Sequence, residues 1–404
     1  MMTNLSQPSA NSPSMSKGLL LLMSSAVSAT AANLYYNQPL LPQIGQELNL
    51  GSEALGAIPA ATQFGYAAAL LLISPLGDNM SRKRLIAILS LFLIAASVLA
   101  FSAQNLLMLL GAVFVIGLSA NITQQLIPFA ASMSSPEQKG QIIGTMMTGL
   151  TVGILLSRTL SGMVGENFGW RAVFAMSATI ALVFGLLLYK YLPNNTPSGK
   201  MPYLKLVGSM FSLAKKHANL RYSALTGALW FAAFNALWAT LALHVSEAPF
   251  NYNAQQAGLF GIIALAGVSG AKLSGVYVSK FGSRNMISAA LLLIATGFTV
   301  SAIWGDSLAG LIVGIILIDF GVFSAQVSNQ VRVFSIDPAA QSRINGIYML
   351  GYYLGGAFGS LLGVRVFGQF GWLGVAIFSI TLVGLSLWAN MQKAQTSHSR
   401  VFIV

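Results

Sequence analysis

Two residues in this chain carry charge where charge is expensive. Asp319 stands within Ile315-Ile316-Leu317-Ile318-Asp319-Phe320-Gly321-Val322-Phe323, and Arg158 within Gly153-Ile154-Leu155-Leu156-Ser157-Arg158-Thr159-Leu160. A carboxylate in apolar surroundings favours its neutral form, so it can load and release a proton as those surroundings change. A guanidinium keeps its charge and needs a carboxylate, carbonyls, water or an anionic ligand. Asp319 is therefore the candidate proton-coupling residue and Arg158 its candidate partner. A fixed ion pair or an interhelical hydrogen bond is the structural alternative for Asp319. Lys272 and Arg365 also fall in apolar runs, but near the ends, where long side chains can reach the surface. His217, His244 and His398 are too scattered for a metal cluster, and His244 reads as a hydrogen-bonded interfacial histidine.

The elements that must position these groups are membrane helices. The 404 residues are 55% hydrophobic and 7% charged, with a mean hydropathy of +0.72. A soluble domain carries about 25% charged residues. With no cysteine, disulfides, thiolate metal sites and cysteine nucleophiles are excluded. No G-x-x-x-x-G-K-[ST] loop occurs, which argues against direct ATP use, and no cofactor is implied.

A span needs about 20 apolar residues. That criterion predicts helices near 18–38, 54–76, 85–102, 106–133, 141–164, 171–192, 222–247, 254–278, 285–304, 306–333, 344–368 and 372–391. The expected fold is an all-α membrane protein with twelve transmembrane helices in two pseudo-symmetric six-helix halves. Residues 1–17 read as a disordered cytoplasmic tail, 18–192 as the first half and 193–221 as a cytoplasmic linker. Residues 222–391 form the second half and 392–404 a second tail. Within the linker, Lys205, Lys215 and Lys216 interleave with Leu204, Leu206, Met210, Phe211 and Leu213, the pattern of an amphipathic interfacial helix or a solvated connector.

Lys and Arg accumulate on the cytoplasmic side of membrane proteins. With both termini inside, Lys17, Arg82, Lys83, Arg84, Lys139, Lys200, Lys280, Arg284, Arg332, Arg343, Lys393 and Arg400 fall there, while Glu47, Glu53, Glu166, Glu247 and Asp306 fall outside. The net charge of +12 is thereby accounted for by topology, and nucleic acid is not expected as a partner.

An internal repeat supports two halves. At an offset of 202, Ser135-Pro136 falls on Asp337-Pro338, Gly144 on Gly346, Gly149 on Gly351, Gly153 on Gly355, Gln124 on Gln326 and Phe168-Gly169-Trp170 on Phe370-Gly371-Trp372. Asp319 falls on Gly117, so the acid is not duplicated.

The loop Ser74-Pro75-Leu76-Gly77-Asp78-Asn79-Met80-Ser81-Arg82-Lys83-Arg84 lies between two apolar runs. By composition alone its cations mark topology, and Asp78 would cap the next helix. Its spacing resembles G-x-x-x-D-x-x-G-R-[RK]-[RK], the signature loop of the major facilitator superfamily, with Ser74 and Ser81 in place of glycine. A second, degraded copy is Gly275 to Arg284, without the acid. The resemblance implies that Asp78, Arg82, Lys83 and Arg84 form a gating loop that breaks and re-forms during alternating access. Ala32-Asn33-Leu34-Tyr35-Tyr36-Asn37-Gln38-Pro39 and Gln326-Val327-Ser328-Asn329-Gln330 are similar to a bacterial subgroup near the drug/proton antiporters and sugar-efflux-like proteins. The chain departs from the antiporters in the fifth helix, where Arg158 appears and the usual Gly-Pro pair does not. It departs again in the fourth, where Val113 replaces an arginine.

Amides and aromatics within the spans are candidates for a substrate cavity: Asn33, Tyr36 and Asn37 on one face of helix 1 by spacing, Gln63 in helix 2, Asn121, Gln124 and Gln125 in helix 4, Asn235 and Trp238 in helix 7, and Gln326 and Asn329 in helix 10. Each could equally serve an interhelical hydrogen bond. The expected function is secondary active transport, with proton-coupled efflux of a small organic or amphiphilic compound from the bacterial inner membrane. Proton-coupled uptake of a polar metabolite or sugar is the alternative within transport, and a non-transporting receptor or scaffold the alternative outside it. Expected partners are the substrate, protons and the lipid bilayer, with the chain monomeric.

Overall fold

The computed structural model describes residues 15–135, 138–195, 202–337 and 340–392. Most of both tails, Lys200, Lys393, Arg400 and the repeat's Pro136 and Pro338 lie outside the described residues. Among the described residues the regular structure is entirely helical. It begins with α1 (Lys17–Ala32), α2 (Leu41–Glu47), α3 (Ser52–Leu55), α4 (Ala57–Leu72), α5 (Leu76–Asn79) and α6 (Arg82–Phe101). There follow α7 (Leu106–Ser119), α8 (Ile122–Ser132), α9 (Lys139–Phe168), α10 (Trp170–Tyr191) and α11 (Tyr203–Lys216). The later part comprises α12 (Ala218–Ser246), α13 (Ala254–Ile263), α14 (Ala266–Phe281), α15 (Ser283–Trp304), α16 (Leu308–Phe334) and α17 (Gln341–Met391).

Among the described residues ten stretches are long and apolar enough to cross a membrane, rather than twelve. The difference has two causes. The spans expected at 344–368 and 372–391 run together in the 51 residues of α17, which turns at Gly371 (φ 62, ψ −162), a conformation that glycine adopts freely. The helix expected over 18–38 ends at Ala32. From there Leu34 N–H donates to Ala31 O, Tyr35 N–H to Ala32 O and Gln38 N–H to Tyr35 O, leading into a 3₁₀ turn at Gln38–Leu40. Pro39 and Pro42 supply no N–H for a continuous α-helix. The tighter winding takes Asn33 and Asn37 off their expected common face. Asn33 accepts from Ser177 of α10, whereas Asn37 Nδ2 donates to Thr62 Oγ1 of α4 at 3.0 Å.

The repeat is visible as two matching crossings. A Cβ on Gly153 would lie 2.1 Å from Ser28 O, and one on Gly355 2.1 Å from Ala228 O. Gly149 likewise meets Ser24 and Gly351 meets Ala224. Small residues let α9 sit on α1, and α17 on α12, at backbone contact, where dispersion substitutes for a hydrophobic driving force that lipid does not provide.

Charge is segregated to the two ends of the bundle. At one end lie Arg82, Lys83, Arg84, Lys139, Arg284, Arg332 and Arg343; at the other Glu47, Glu166, Glu247 and Asp306, with Arg171 bound to Glu47. Direct contacts between α1–α10 and α12–α17 are found at the centre and toward the acidic end: Gly56 against Val364, Phe64 on Phe358 at 5.4 Å, and the Ala254 N–H donating to Glu166 Oε2 at 3.1 Å. At the basic end α11 makes the link. Tyr203 OH donates to Leu72 O at 2.7 Å, and Arg343 Nη1 donates to Ser209 Oγ at 3.1 Å.

Candidate functional site

Helix α12 is the most enclosed of the long helices. Its sequence Trp230-Phe231-Ala232-Ala233-Phe234-Asn235-Ala236-Leu237-Trp238 alternates bulky and small side chains, so it fills the middle of the molecule while neighbours approach closely. Around it gathers an aromatic centre. Phe231 stacks on Tyr352 at 3.7 Å, and Tyr66 lies 4.3 Å from Tyr353. Gln63 Nε2 reaches Asn235 Oδ1 at 3.4 Å, joining α4 to α12, and Gln124 Nε2 donates to Tyr66 OH at 2.9 Å.

Arg158 is 1% exposed. Its Nε donates to Gln38 Oε1 at 2.7 Å and its Nη1 to Ile154 O at 3.4 Å. The guanidinium carbon lies 3.9 Å from the Trp238 ring, 4.9 Å from Tyr35 and 6.0 Å from Phe234. Such cation–π contacts offset part of the cost of burying the charge. Nη2 has no hydrogen-bond partner among the described residues.

Asp319 is fully buried in α16, and neither carboxylate oxygen has a hydrogen-bond partner among the described residues. It and Arg158 are near enough for their charges to interact, yet no ion pair joins them. Helices α13 and α14 account for the spacing. Gly258 and Gly261 bring α13 onto the backbone at Arg158, while Gly267 and Gly270 bring α14 onto α16 at Asp319 and Phe320. The chain breaks between them at Ala264–Leu265, with Gly267 N–H donating to Ala264 O. One interrupted helix thus touches the backbones of both charged residues.

Other candidates do different work. Asn121 Nδ2 donates to Ser74 Oγ at 2.8 Å and its Oδ1 accepts from Gln125 Nε2 at 3.0 Å, while Gln125 O accepts from Arg82 Nη1 at 3.2 Å. This pair therefore supports the loop at 74–84, where the Gln125 amide packs on Gly77. Asp78 does not cap α6: it lies in α5 and pairs with Arg82 at 3.5 Å, while Ser81 occupies the cap position and Asn195 Oδ1 accepts the Arg82 N–H. Lys83 Nζ lies 5.4 Å from the Tyr189 ring, and Arg84 is exposed. Gln326 Oε1 accepts from Tyr348 OH at 2.6 Å. Asn329 Oδ1 accepts from Arg332, so it anchors a cation at the basic end. Tyr36 is buried, and Asn33 faces α10 rather than the centre. Lys272 and Arg365 are exposed on the outside of the bundle. His244 receives the expected fixed environment, with Nε2 2.9 Å from Gly305 O and its ring stacked on Trp372 at 4.3 Å.

Sequence reasoning did not single out Gln38, Tyr35, Tyr66, Phe234 or Tyr353. The available signals were Tyr352-Tyr353 in a glycine-rich helix and aromatics three to four residues apart in α12, which bring side chains onto one face.

The comparisons with known proteins agree with this architecture. The chain is 37% identical over 378 residues to the uncharacterized transporter YgaY of Escherichia coli O157:H7, covering 93% of this chain and 95% of that protein. It is 27% identical over 271 residues to a probable sugar efflux transporter of Pasteurella multocida, covering 63% of this chain and 62% of the relative. A bacterial homolog to the human lysosomal transporter Spinster, solved in an inward-facing and unoccupied conformation, superposes with a TM-score of 0.73 at 16% identity, covering 93% of this chain and 96% of that one. Residues 21–360 match the model of the Major Facilitator Superfamily, and the chain is a membrane transporter belonging to that superfamily.

Proposed function

We propose that the chain is a proton-coupled secondary transporter exporting a small organic or amphiphilic compound, with Asp319 as the proton carrier. The observation that carries this is a carboxylate that is fully buried, accepts no hydrogen bond among the described residues and forms no ion pair with the arginine near it. An ionised carboxylate left so is costly, whereas a protonated one is cheap, so its protonation state is tied to how the surrounding helices are arranged. In this reading α17 counts as two spans about Gly371, and α1 with its 3₁₀ turn and α2 as one interrupted span, giving twelve in two six-helix halves joined by 193–221. The basic end faces the cytoplasm of a bacterial inner membrane, and the contacts gathered at the acidic end hold the transporter closed to the outside. Similarity to a probable sugar efflux protein favours export.

Uptake is the second reading, and one observation favours it. Arg158 and Asp319 carry opposite charges in one buried region, so an anion at Arg158 together with a proton on Asp319 keeps the region neutral, and substrate and proton would then travel together. In proteoliposomes carrying the purified protein, export predicts substrate accumulation driven by an acidic lumen, and Asp319→Asn should abolish it while sparing equilibration down the substrate's own gradient. Accumulation driven by an acidic exterior would replace export by uptake. Undiminished uphill transport by Asp319→Asn would remove the proton-carrier role.

A further inference from the structure

Three buried hydrogen-bond donors without partners among the described residues lie on Arg158 and on two of the side chains beside it. They are Nη2 of Arg158, Nε2 of Gln38 and Nε1 of Trp238, on residues 1%, 1% and 2% exposed. Gln38 spends its carbonyl oxygen on Arg158 Nε, so its amide N–H groups face outward from that bond. Trp238 spends its ring face on the guanidinium, leaving its indole N–H. These three groups come from three places in the chain: the 3₁₀ turn after α1, the middle of α9 and the middle of α12. Buried donors are ordinarily satisfied, and each one left unmade is costly. Here three coincide beside one permanent positive charge.

We propose that this cluster is the recognition site for the anionic group of the substrate, and that the substrate class is a small aromatic monocarboxylate. The carboxylate has only acceptor positions to offer, about four of them over two oxygens, which matches the three unpaired donors on Arg158, Gln38 and Trp238. With Asp319 protonated, the single guanidinium balances a single negative charge. Tyr35, Phe234 and Trp238 around it provide ring faces and edges for an aromatic body. A neutral sugar would bring hydroxyl donors as well as acceptors, and a cation would meet Arg158 as a like charge. The inference deepens the transport reading and relies on it only for the statement that a substrate is carried.

The test is binding to the full-length protein in lipid nanodiscs, read by calorimetry with no ion gradient. The probes are benzoate, 2-naphthoate and 4-phenylbutyrate, each paired with its neutral amide. At least one carboxylate should bind about tenfold or more tightly than its amide, the scale of one charge-assisted hydrogen bond. Arg158→Gln should erase that preference. Should Arg158→Gln not fold, Trp238→Phe decides: it keeps a ring beside the guanidinium but deletes the N–H, and should weaken carboxylate binding several-fold more than amide binding. Equal affinity for acid and amide in the unmodified protein overturns the proposal, as does a preference that survives in every variant that folds. Because no gradient is applied, the result does not depend on the direction of transport.

Discussion

Asp78 and Arg82 pair at 3.5 Å with side chains 48% and 20% exposed, so the pair contributes little to stability; exposed ion pairs are worth about 0–1 kcal/mol. Its value would lie in biasing one arrangement of the helices over another, a coupling of about 1–3 kcal/mol or about 5- to 150-fold. Asp78→Asn should accordingly leave the apparent Tm within about a degree of the parent while slowing transport by that factor. A parental transport rate from well-inserted Asp78→Asn would reduce the loop to a topology signal. The burial of Arg158 and Asp319 could be read from sequence because both stand in the middle of long apolar runs, where a charge is costly. Amides carry no such label, since any buried amide must find partners. Gln63 and Asn235 share a hydrogen bond and Trp238 lies over Arg158, whereas Asn121 and Gln125 pack at the 74–84 loop and Asn329 holds Arg332. Gln38 escaped notice because Pro39 beside it reads as the end of a span.

At the scale of elements, the two glycine crossings carry the clearest stability prediction. Gly153→Ala places a methyl where Ser28 O stands, whereas the same change at Gly144, in the same helix, meets nothing within 4 Å. Forcing atoms into a packed contact costs about 1–3 kcal/mol, while alanine in a helix is favoured over glycine by about 1 kcal/mol. Gly153→Ala should therefore lower the apparent Tm measured in detergent, and Gly144→Ala should leave it level or raise it. Equal shifts at the two sites would mean that the crossing relaxes at no cost. The helices themselves were legible because an apolar run of membrane length is seldom anything but a span, and the repeat was legible because backbone contact fixes Gly149, Gly153 and Gly355 and a positive φ fixes Gly169 and Gly371. The breaks after Ala32, at Ala120–Asn121 and at Ala264–Leu265 were not. The break at Ala264–Leu265 falls inside a run that stays apolar, while those after Ala32 and at Ala120–Asn121 coincide with amides and prolines that lie within stretches of membrane length.

Across the whole molecule, the seam at the acidic end rests on glycines as much as on polar links. Gly162 lies against Ala254 and Gly258 of α13, where a Cβ would come 2.4 Å from Ala254 O, and elsewhere along the same seam Gly56 lies against Val364. Packed interfaces of this kind are bistable rather than continuously deformable. A branched side chain at Gly162 should therefore part the seam instead of compressing it, moving the molecule toward an arrangement open at the acidic end. The chain contains no cysteine, so a single Val364→Cys substitution reports on one place only, and Val364 is fully buried in the closed arrangement. Combined with Gly162→Val, that cysteine should react with a membrane-impermeant maleimide about tenfold or more faster than in the Val364→Cys parent, the change expected of a population shift of about 1.4 kcal/mol. Labelling that stays equally slow in both proteins would show that the α9–α13 crossing does not govern closure at that end.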